Sequence, residues 1–488
     1  MFKKITYAIH RVLGTVISLL FLMWFITGLV LIYKSFPDVD KTQRHDHRIC
    51  LTDSLPNIED VLAEIPQDEK LKSIQVNQYK NKGIFTVETS KDTYYISSQL
   101  EQDNEPISKA ELEDIAQSWV QASIAKIDTL HKQDIWIMYS KYQKELPIYK
   151  VHFDDSAKHQ LYLSSRTGEV QQLTTRNERL WAYVGSIPHK LYIPALRQHT
   201  RTWINTLTTL ATLSFITVIT GFILGVRAYT KRYKIQKKWS TPYRKFSYKW
   251  HTLLGFAFSL FLFTWSISGM MALQKVPQWL VKTHTNYHIP QKIKGKKVDP
   301  AAYPLDYRKL QEAFPKLKQI SWTSFQGVPI YEIIDGKEVL HIDASKDSIQ
   351  RLNLSEAQIC QAIESIHGQE TKYNIQLIHH FEEYYLPWKR DLDLPVYKVS
   401  VESEDENTYY ISPETGNYKH LDKNRKARKW LFNGFHYLHI QWLMERPVLW
   451  TLTIWFLALG CIAVSGTGVW LSFKFLIRKL KKKPKKTC

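Results

Sequence analysis

The fold is decided by residues 7–28, YAIHRVLGTVISLLFLMWFITG, which recur as residues 248–269, YKWHTLLGFAFSLFLFTWSISG. Nine positions of the two stretches are identical at a constant shift of 241. Each stretch is a long apolar run with a histidine near its start and a tryptophan and a glycine near its end. An apolar run of this length predicts a helix that crosses a membrane. The recurrence predicts that the chain is built from two copies of one unit.

Four uncharged windows are long enough to cross a bilayer core of ~30 Å at ~1.5 Å per residue. They predict four membrane helices separated by two long segments. The predicted order is helix 1 (1–33), an outer segment (34–202), helix 2 (203–226), a basic loop (227–250), helix 3 (251–273), a second outer segment (274–447), helix 4 (448–473) and a basic tail (474–488).

The charge distribution predicts the orientation of these helices. The chain has 66 Lys and Arg residues against 46 Asp and Glu, a net charge of +20. Segments 1–11, 227–250 and 474–488 together hold 20 basic and no acidic residues, which equals the whole net charge. Because basic segments stay in the cytoplasm, both termini and the loop are expected inside a bacterial inner membrane, with both long segments outside. Basic clusters beside membrane helices favour contact with anionic lipid, so we expect no nucleic-acid partner.

The outer segments also repeat. LPIYKV (146–151) recurs as LPVYKV (394–399), and the arginine and tryptophan pattern of 176–185 recurs in 425–434. Alternating polar and apolar runs predict antiparallel hairpins, and amphipathic stretches between them predict helices. The predicted fold is therefore an α+β membrane protein. Two parallel repeats form a four-helix transmembrane bundle, and each repeat carries an extracytoplasmic α+β insertion with two helix-plus-hairpin units.

These residues resemble a known family. The histidine before Leu-Gly, the tryptophan and glycine further along the helix, the Leu-Pro-x-Tyr-x-Val and Tyr-x-Ser-x-x-Thr-Gly hairpins, and the Arg-x-Trp approach to the next helix are similar to the PepSY-associated transmembrane family. The resemblance covers nearly the whole chain and implies PepSY-like units in the outer segments. The family includes iron-regulated inner-membrane proteins, among them haem-containing ferric-siderophore reductases. It therefore implies an oxidoreductase that transfers electrons to iron.

His10 and His251 are the strongest candidate ligands. They match in the repeat, lie at the inner ends of apolar helices, and are followed four residues later by Gly14 and Gly255, which leave a flat helix face for a planar macrocycle. Two neutral imidazoles that face each other in a helix bundle can fill both axial positions of a b-type haem. The alternative interpretation is a pair of interfacial histidines that contact lipid headgroups.

For a second, outer haem the sequence offers one histidine pair and two alternates. His189 follows Trp181 by eight residues and His439 follows Trp430 by nine, so these two histidines correspond if one residue is gapped. His436 and His199 are the alternates. Haem b at one site or two is therefore predicted, and two sites would connect the two sides of the membrane.

Four arginines precede the second and fourth helices. They are candidates for contacts with haem propionates or an anionic substrate, because guanidinium groups bind carboxylates bidentately. A solvated collar beside the membrane is the other interpretation. The four are Arg176, Arg179, Arg425 and Arg428.

The predicted function is electron transfer by b-type haem to an extracytoplasmic acceptor, a ferric siderophore or another oxidised small molecule. The electron would come from quinol or another separate donor, since no nucleotide-binding motif is present. Two alternatives stay open. The outer segments could form a non-enzymatic PepSY module that binds peptides or restrains a protease, or the parallel repeats could form a transporter or sensor.

Overall fold

The computed structural model describes residues 2–79, 82–103, 105–294, 299–388 and 391–481. The chain divides into two compact units that each combine distant parts of the sequence. The helical unit comprises Met1–Pro37, Arg176–Val281 and Asn424–Cys488. The sheet unit comprises Asp38–Thr175 and Lys282–Lys423. Residues 176–202 and 424–447, which hydropathy assigns to the outer segments, fold with the membrane helices.

Helices occur in both units, and the membrane helices are much longer than the rest. In chain order the α-helices are α1 (Phe2–Tyr33), α2 (Lys41–Asp46), α3 (Ile58–Ala63), α4 (Lys109–Trp119), α5 (Arg176–Val184), α6 (Ser186–Lys190), α7 (Pro194–Arg197), α8 (Thr200–Gln236), α9 (Phe246–Ala257), α10 (Ser259–Met271), α11 (Ile289–Lys294), α12 (Arg308–Ala313), α13 (Glu356–His367), α14 (Lys423–Arg428), α15 (Phe435–Tyr437), α16 (Gln441–Met444) and α17 (Pro447–Leu480). A π-helical turn, Lys429–Gly434, joins α14 to α15, and 3₁₀ turns cover Ser140–Glu145 and Pro300–Ala302.

Three of these helices, α1, α8 and α17, are long and apolar enough to cross a membrane. The pair α9 and α10 passes the same test together but bends by 66° at its break. The described residues thus contain three candidate membrane helices, or four if the bent pair is one span. Helix 3 of the sequence prediction is therefore not continuous, whereas its repeat equivalent, α1, is.

The serine that the two copies share bonds differently in each. In α1, Ser18 Oγ lies 3.4 Å from Ser472 Oγ of α17, so this side chain bonds across to a neighbouring helix. The equivalent Ser259, the first residue of α10, donates to Phe256 O of α9 at 2.8 Å, across the break. The break falls at Phe258, directly before this serine.

The membrane helices pack side by side within the helical unit. Helix α1 contacts both α8 and α17, α9 packs on α17, and α10 packs on α8. Their shared apolar core consists of buried side chains from α1, α10 and α17, namely Ile17, Phe21, Phe25, Leu262, Cys461 and Val464. Burial of such side chains is the main contribution of packing to the stability of this unit.

The sheet unit contains three antiparallel sheets. Their strands are β1 (Leu71–Tyr79), β2 (Lys82–Thr89), β3 (Thr93–Ser97), β4 (Ile124–Leu130), β5 (Ile148–Phe153), β6 (Gln160–Ser164), β7 (Val170–Thr174), β8 (Leu317–Phe325), β9 (Val328–Asp335), β10 (Glu338–Asp343), β11 (Tyr373–Ile378), β12 (Val396–Val401), β13 (Thr408–Ile411) and β14 (Tyr418–Leu421). The strand orders are β10-β9-β8-β1-β2-β3, β4-β5-β6-β7 and β11-β12-β13-β14.

Each outer segment supplies two modules, and each module is a helix followed by antiparallel strands. Modules one to four are α3 with β1–β3, α4 with β4–β7, α12 with β8–β10, and α13 with β11–β14. Modules one and three join through β1 and β8, with Ile74 opposite Trp322 and Val76 opposite Ile320. Helices α3 and α12 cover one face of that six-stranded sheet and contribute Val61 and Leu310 to its core.

Candidate functional site

His10 and His251 face each other inside the helical unit. Their ring centroids are 6.3 Å apart and their planes differ by 41°. His10 Nδ1 lies 3.0 Å from Thr217 O on α8. His251 Nδ1 lies 3.3 Å from Val464 O and 3.1 Å from Thr467 Oγ1 on α17. We call these two histidines the inner pair.

A second pair forms where α6 and α15 fold onto the membrane helices. The ring centroids of His189 and His436 are 6.2 Å apart, with planes at 73°. His189 Nδ1 lies 3.0 Å from Thr27 Oγ1 and 3.2 Å from Trp24 O. His436 Nδ1 lies 3.0 Å from Ser268 Oγ. We call these two histidines the outer pair.

The hydrogen bonds assign the same tautomer to all four rings. Carbonyl oxygens only accept, and Thr27, Ser268 and Thr467 each donate their hydroxyl hydrogen to a carbonyl of their own helix. These oxygens therefore accept from Nδ1–H of the histidine. The lone pair of each ring is left on Nε2, to which no described residue bonds. A neutral imidazole held through Nδ1–H is the usual form of a histidine that ligates a metal.

The separation within each pair is that expected for two ligands on one iron. A bond from a metal to an imidazole nitrogen is about 2 Å long, and the ring centroid lies about 1 Å beyond that nitrogen, so two axial imidazoles have centroids about 6 Å apart. Within the described residues, no group of three or more His, Cys, Asp or Glu side chains could hold a metal ion. A haem requires only two protein ligands, because its macrocycle supplies the others. Both pairs therefore fit the axial ligation of haem.

Glycines make room for three of the four rings. A Cβ added at Gly221 would lie 2.6 Å from His10 Cε1, and one at Gly468 would lie 3.4 Å from His251 Cε1. At Gly28 the corresponding distance to His189 Cε1 is 3.4 Å. One turn after the inner histidines, a Cβ at Gly14 would meet nothing within 4 Å, and one at Gly255 would meet Val464 Cγ1 at 3.9 Å. The helix surface beside the inner pair is therefore open at Gly14 and in ordinary van der Waals contact at Gly255.

Four tryptophans hold the backbone of the outer pair through their indole N–H groups. The bonds run from Trp24 Nε1 to His189 O (3.0 Å), from Trp203 Nε1 to Lys190 O (2.8 Å), from Trp265 Nε1 to His436 O (3.2 Å) and from Trp450 Nε1 to Tyr437 O (2.8 Å). Two residues after each outer histidine, the chain turns at a leucine with positive φ, Leu191 at 48° and Leu438 at 51°. The repeated mid-helix tryptophans therefore position the outer histidines.

In the structure His189 faces His436, which the sequence analysis gave as the alternate ligand, and not His439. His439 is buried three residues further on, and its backbone N–H donates to Asn433 O at 3.2 Å. His199 is exposed and precedes α8. A signal for the correct match does exist. At a shift of 247, Leu191, Ile193 and Trp203 align with Leu438, Ile440 and Trp450, and the same shift takes His189 to His436.

Of the four candidate arginines, Arg176 and Arg179 lie in α5, and Arg425 and Arg428 lie in α14. Arg176, Arg425 and Arg428 are exposed, and Arg179 is half-buried. Arg428 Nη2 donates to Ala272 O at 3.2 Å, at the end of α10. This contact ties α14 to the bent helix pair, so Arg428 has a structural role whether or not it also meets a ligand.

Comparison with known proteins identifies the family. The model of the PepSY-associated TM region matches residues 7–472, which is nearly the whole chain. A search of curated protein sequences found no match. Both histidine pairs lie inside the matched region.

Proposed function

The chain belongs to the PepSY-associated TM family, and from this premise we propose that it is a b-type haem protein that carries electrons across a membrane. We infer that His10 and His251 hold one haem and that His189 and His436 hold a second. The single observation that carries this proposal is the presence of two facing histidine pairs, at 6.3 Å and 6.2 Å, in matched environments. One such contact is compatible with chance packing, but two at repeat-related positions favour a common ligand.

The proposed topology follows from the same repeat. The four crossings are α1, α8, the bent pair α9 and α10, and α17, arranged as two parallel copies in a bacterial inner membrane. The basic segments at both termini and after α8 stay in the cytoplasm, and the two outer segments with their PepSY-like modules lie outside. Thr27 follows His10 by 17 residues in one continuous helix, which is about 25 Å of helix. This length is close to the ~30 Å bilayer core, so one pair belongs near each face.

Bound haem would supply an iron that accepts and releases one electron at a time. Two imidazoles at each site would hold the iron, which would favour electron transfer over binding of oxygen. The Nδ1–H bonds to carbonyl and hydroxyl oxygens fix the tautomer, would leave the Nε2 lone pair for a metal and would raise the electron density of the ring. The apolar core between the pairs, with Phe21, Phe25 and Leu262, excludes water and charge from the interior.

The acceptor that we propose is a ferric siderophore outside the membrane. Adding one electron converts iron(III) to iron(II), which hard oxygen ligands hold less tightly, so the metal is released. The electron enters on the cytoplasmic side from quinol or another donor. The resemblance within the family supports this acceptor, whereas the histidine pairs support only the electron transfer.

The test is haem quantitation on the complete chain purified in detergent. We expect two haem b per chain, with the low-spin spectrum of two axial imidazoles and full reduction by dithionite. Chain reconstituted in vesicles that contain reduced quinol should then reduce an external ferric chelate. A colourless, haem-free protein from cells with ample iron would overturn the proposal and favour the PepSY binding module. A red protein that does not reduce any external ferric chelate would overturn the acceptor alone.

A further inference from the structure

A cavity of about 780 Å³ lies in the sheet unit, between module one and module two. Its floor is the polar face of the first sheet, where Gln75, Thr86 and Tyr95 stand opposite one another on β1, β2 and β3. Helix α4 and the turn around Gly168 form the opposite wall. Cavities of ~300–1,000 Å³ are the usual size for small-molecule sites. This volume therefore suits a small molecule better than a folded partner.

The corresponding space in the second half of the chain is closed by apolar packing. There, Phe325 and Ile330 of module three pack into the core of module four. A Cβ at Gly416 would meet both of these side chains, at 3.5 Å each. In the first half, Tyr79 stands at the end of β1, as Phe325 stands at the end of β8, and it lines the open cavity. The cavity is thus specific to one copy and does not follow from the module fold.

Two arginines at the cavity share a single carboxylate. Arg44 Nη1 and Arg48 Nη2 lie 3.8 Å and 3.6 Å from Glu169 Oε1, and Glu169 is half-exposed. Arg44 also donates to Gln171 O at 3.2 Å. Arg48 Nη1 is shielded from solvent and has no hydrogen-bond partner among the described residues. The guanidinium of Arg48 is therefore largely buried, and its ion pair with Glu169 is longer than a hydrogen bond.

An arrangement of this kind is unfavourable without a further anion. Burial lowers the pKa of the Arg48 guanidinium, Arg44 adds to this effect, and the carboxylates of Glu169 and Glu332 oppose it. Removing a cation from water costs several kcal/mol unless hydrogen-bonded anions replace the water. Besides Glu169 the cavity is lined by five carboxylates, of which Glu111 caps α4 through Ser108 N, and by four further Lys and Arg side chains. At 3.8 Å and 3.6 Å from Glu169 Oε1, neither Arg44 Nη1 nor Arg48 Nη2 is within hydrogen-bond distance of it, so a ligand carboxylate beside the two arginines would supply a closer, bidentate partner.

We propose that this cavity binds a small molecule with several carboxylate groups. The two arginines bind one carboxylate, and the polar sheet face offers hydroxyl and amide groups to the rest. The site itself rests on the cavity, the arginines and the contrast with modules three and four. Only the further step, that such a carboxylate chelate of iron is the electron acceptor, rests on the proposed function.

The experiment is equilibrium dialysis of radiolabelled citrate against the complete chain in detergent at low ionic strength. We expect one saturable site per chain. The double variant Arg44→Gln with Arg48→Gln should weaken binding by about tenfold to a hundredfold, the usual effect of losing charged hydrogen bonds. Arg308→Gln, which removes an exposed arginine paired to Asp306 in the same unit, is the matched control and should bind citrate as the parent does.

A second variant tests the cavity independently, in case the double variant misfolds. Thr86→Phe fills the cavity from the sheet side and leaves both arginines in the sequence, and it should also abolish binding while secondary structure and haem content stay unchanged. Equal citrate binding by all variants, or no binding by the parent chain, would overturn the site. Displacement of citrate by an equal concentration of inorganic phosphate would overturn the carboxylate assignment. Citrate binding that persists in His10→Ala chain would leave the site intact even if the haem proposal fails.

Discussion

The inner and outer histidine pairs lie on different kinds of helix. The inner histidines lie on the membrane helices α1 and α9 themselves, whereas the outer histidines lie on short helices, α6 and α15, that fold back onto α1 and α10. The inner and outer histidines of one copy also bond different long helices of that copy. In each copy the inner histidine bonds the second long helix, through Thr217 or Val464, and the outer histidine bonds the first, through Thr27 or Ser268.

In each copy, the first and second long helices are therefore linked twice through histidine hydrogen bonds, once by the inner histidine and once by the outer histidine. Between the two copies, each histidine faces its repeat equivalent, inner with inner and outer with outer. The inner pair depends on helix packing alone. The outer pair depends in addition on the turns at Leu191 and Leu438 and on four indole bonds. We therefore expect the inner pair to tolerate little change in the helices and the outer pair to be tuned by its supporting tryptophans.

The largest effect is expected from the inner pair. His10→Ala and His251→Ala should each remove one haem per chain, because a single axial imidazole holds the cofactor less tightly, and should abolish transfer to an external acceptor. Membrane insertion should persist, since it depends on apolar length. Haem quantitation and low-temperature absorption spectra measure the loss, with the exposed His199→Ala as control. Two haems in both inner variants would contradict the assignment.

An equally complete but separate loss is expected from the outer pair. His189→Ala and His436→Ala should remove the second haem, leave the first reducible from the cytoplasmic side, and block reduction of the external acceptor. His439→Ala is the decisive comparison, because it lies only three residues from His436 and should retain both haems. The spectra of the three variants separate these outcomes, and loss of haem in His439→Ala with retention in His436→Ala would reverse our choice of ligand.

The choice between these two histidines also indicates how far sequence alone can predict the site. The inner pair follows from a constant shift of 241 through an unbroken helix. Between Gly185 and His189 the shift to the second copy changes from 249 to 247. Four positions separate Gly185 from His189 but only two separate Gly434 from His436, so the second copy is two residues shorter here, directly after its π-helical turn Lys429–Gly434. Counting residues from Trp430 therefore cannot give the position of the outer ligand.

The fold could be predicted to a similar extent. Apolar length predicted the four hydrophobic segments, and alternation predicted hairpins such as β2 with β3 and β12 with β13, which are present. The 66° bend between α9 and α10 was not predictable, because the stretches around Ser18 and Ser259 are both long apolar runs that share nine positions at a constant shift, and only one of them breaks. The same limit applies to the cavity, which depends on how Tyr79 and Phe325 pack.

An intermediate effect should separate the two members of the inner pair. Gly221→Ala places a methyl group 2.6 Å from His10 Cε1, so the ring or the helix must move. Gly468→Ala places it 3.4 Å from His251 Cε1, where a shift of a few tenths of an ångström suffices. We expect Gly221→Ala to lower the haem content and shift the potential of the inner haem, and Gly468→Ala to do neither strongly. Redox titration of both variants measures this, and equal behaviour would indicate that the glycines do not set the ring positions.

The smallest effects are expected from side chains that hydrogen-bond an outer histidine and would not contact the haem themselves. Thr27→Val removes the hydroxyl that accepts from His189 Nδ1 while keeping the shape of the side chain, and changes to such partners typically lower metal affinity about tenfold or more. Trp24→Phe removes the indole bond to His189 O, worth about 1 kcal/mol of stability. Both variants should keep two haems at saturating haem, with a shifted potential for the outer one only. Thr206→Val, at a threonine on α8 that bonds its own helix, is the matched control. A shift in the inner potential instead, or none in either, would show that His189 is not held in its ligating position through these contacts.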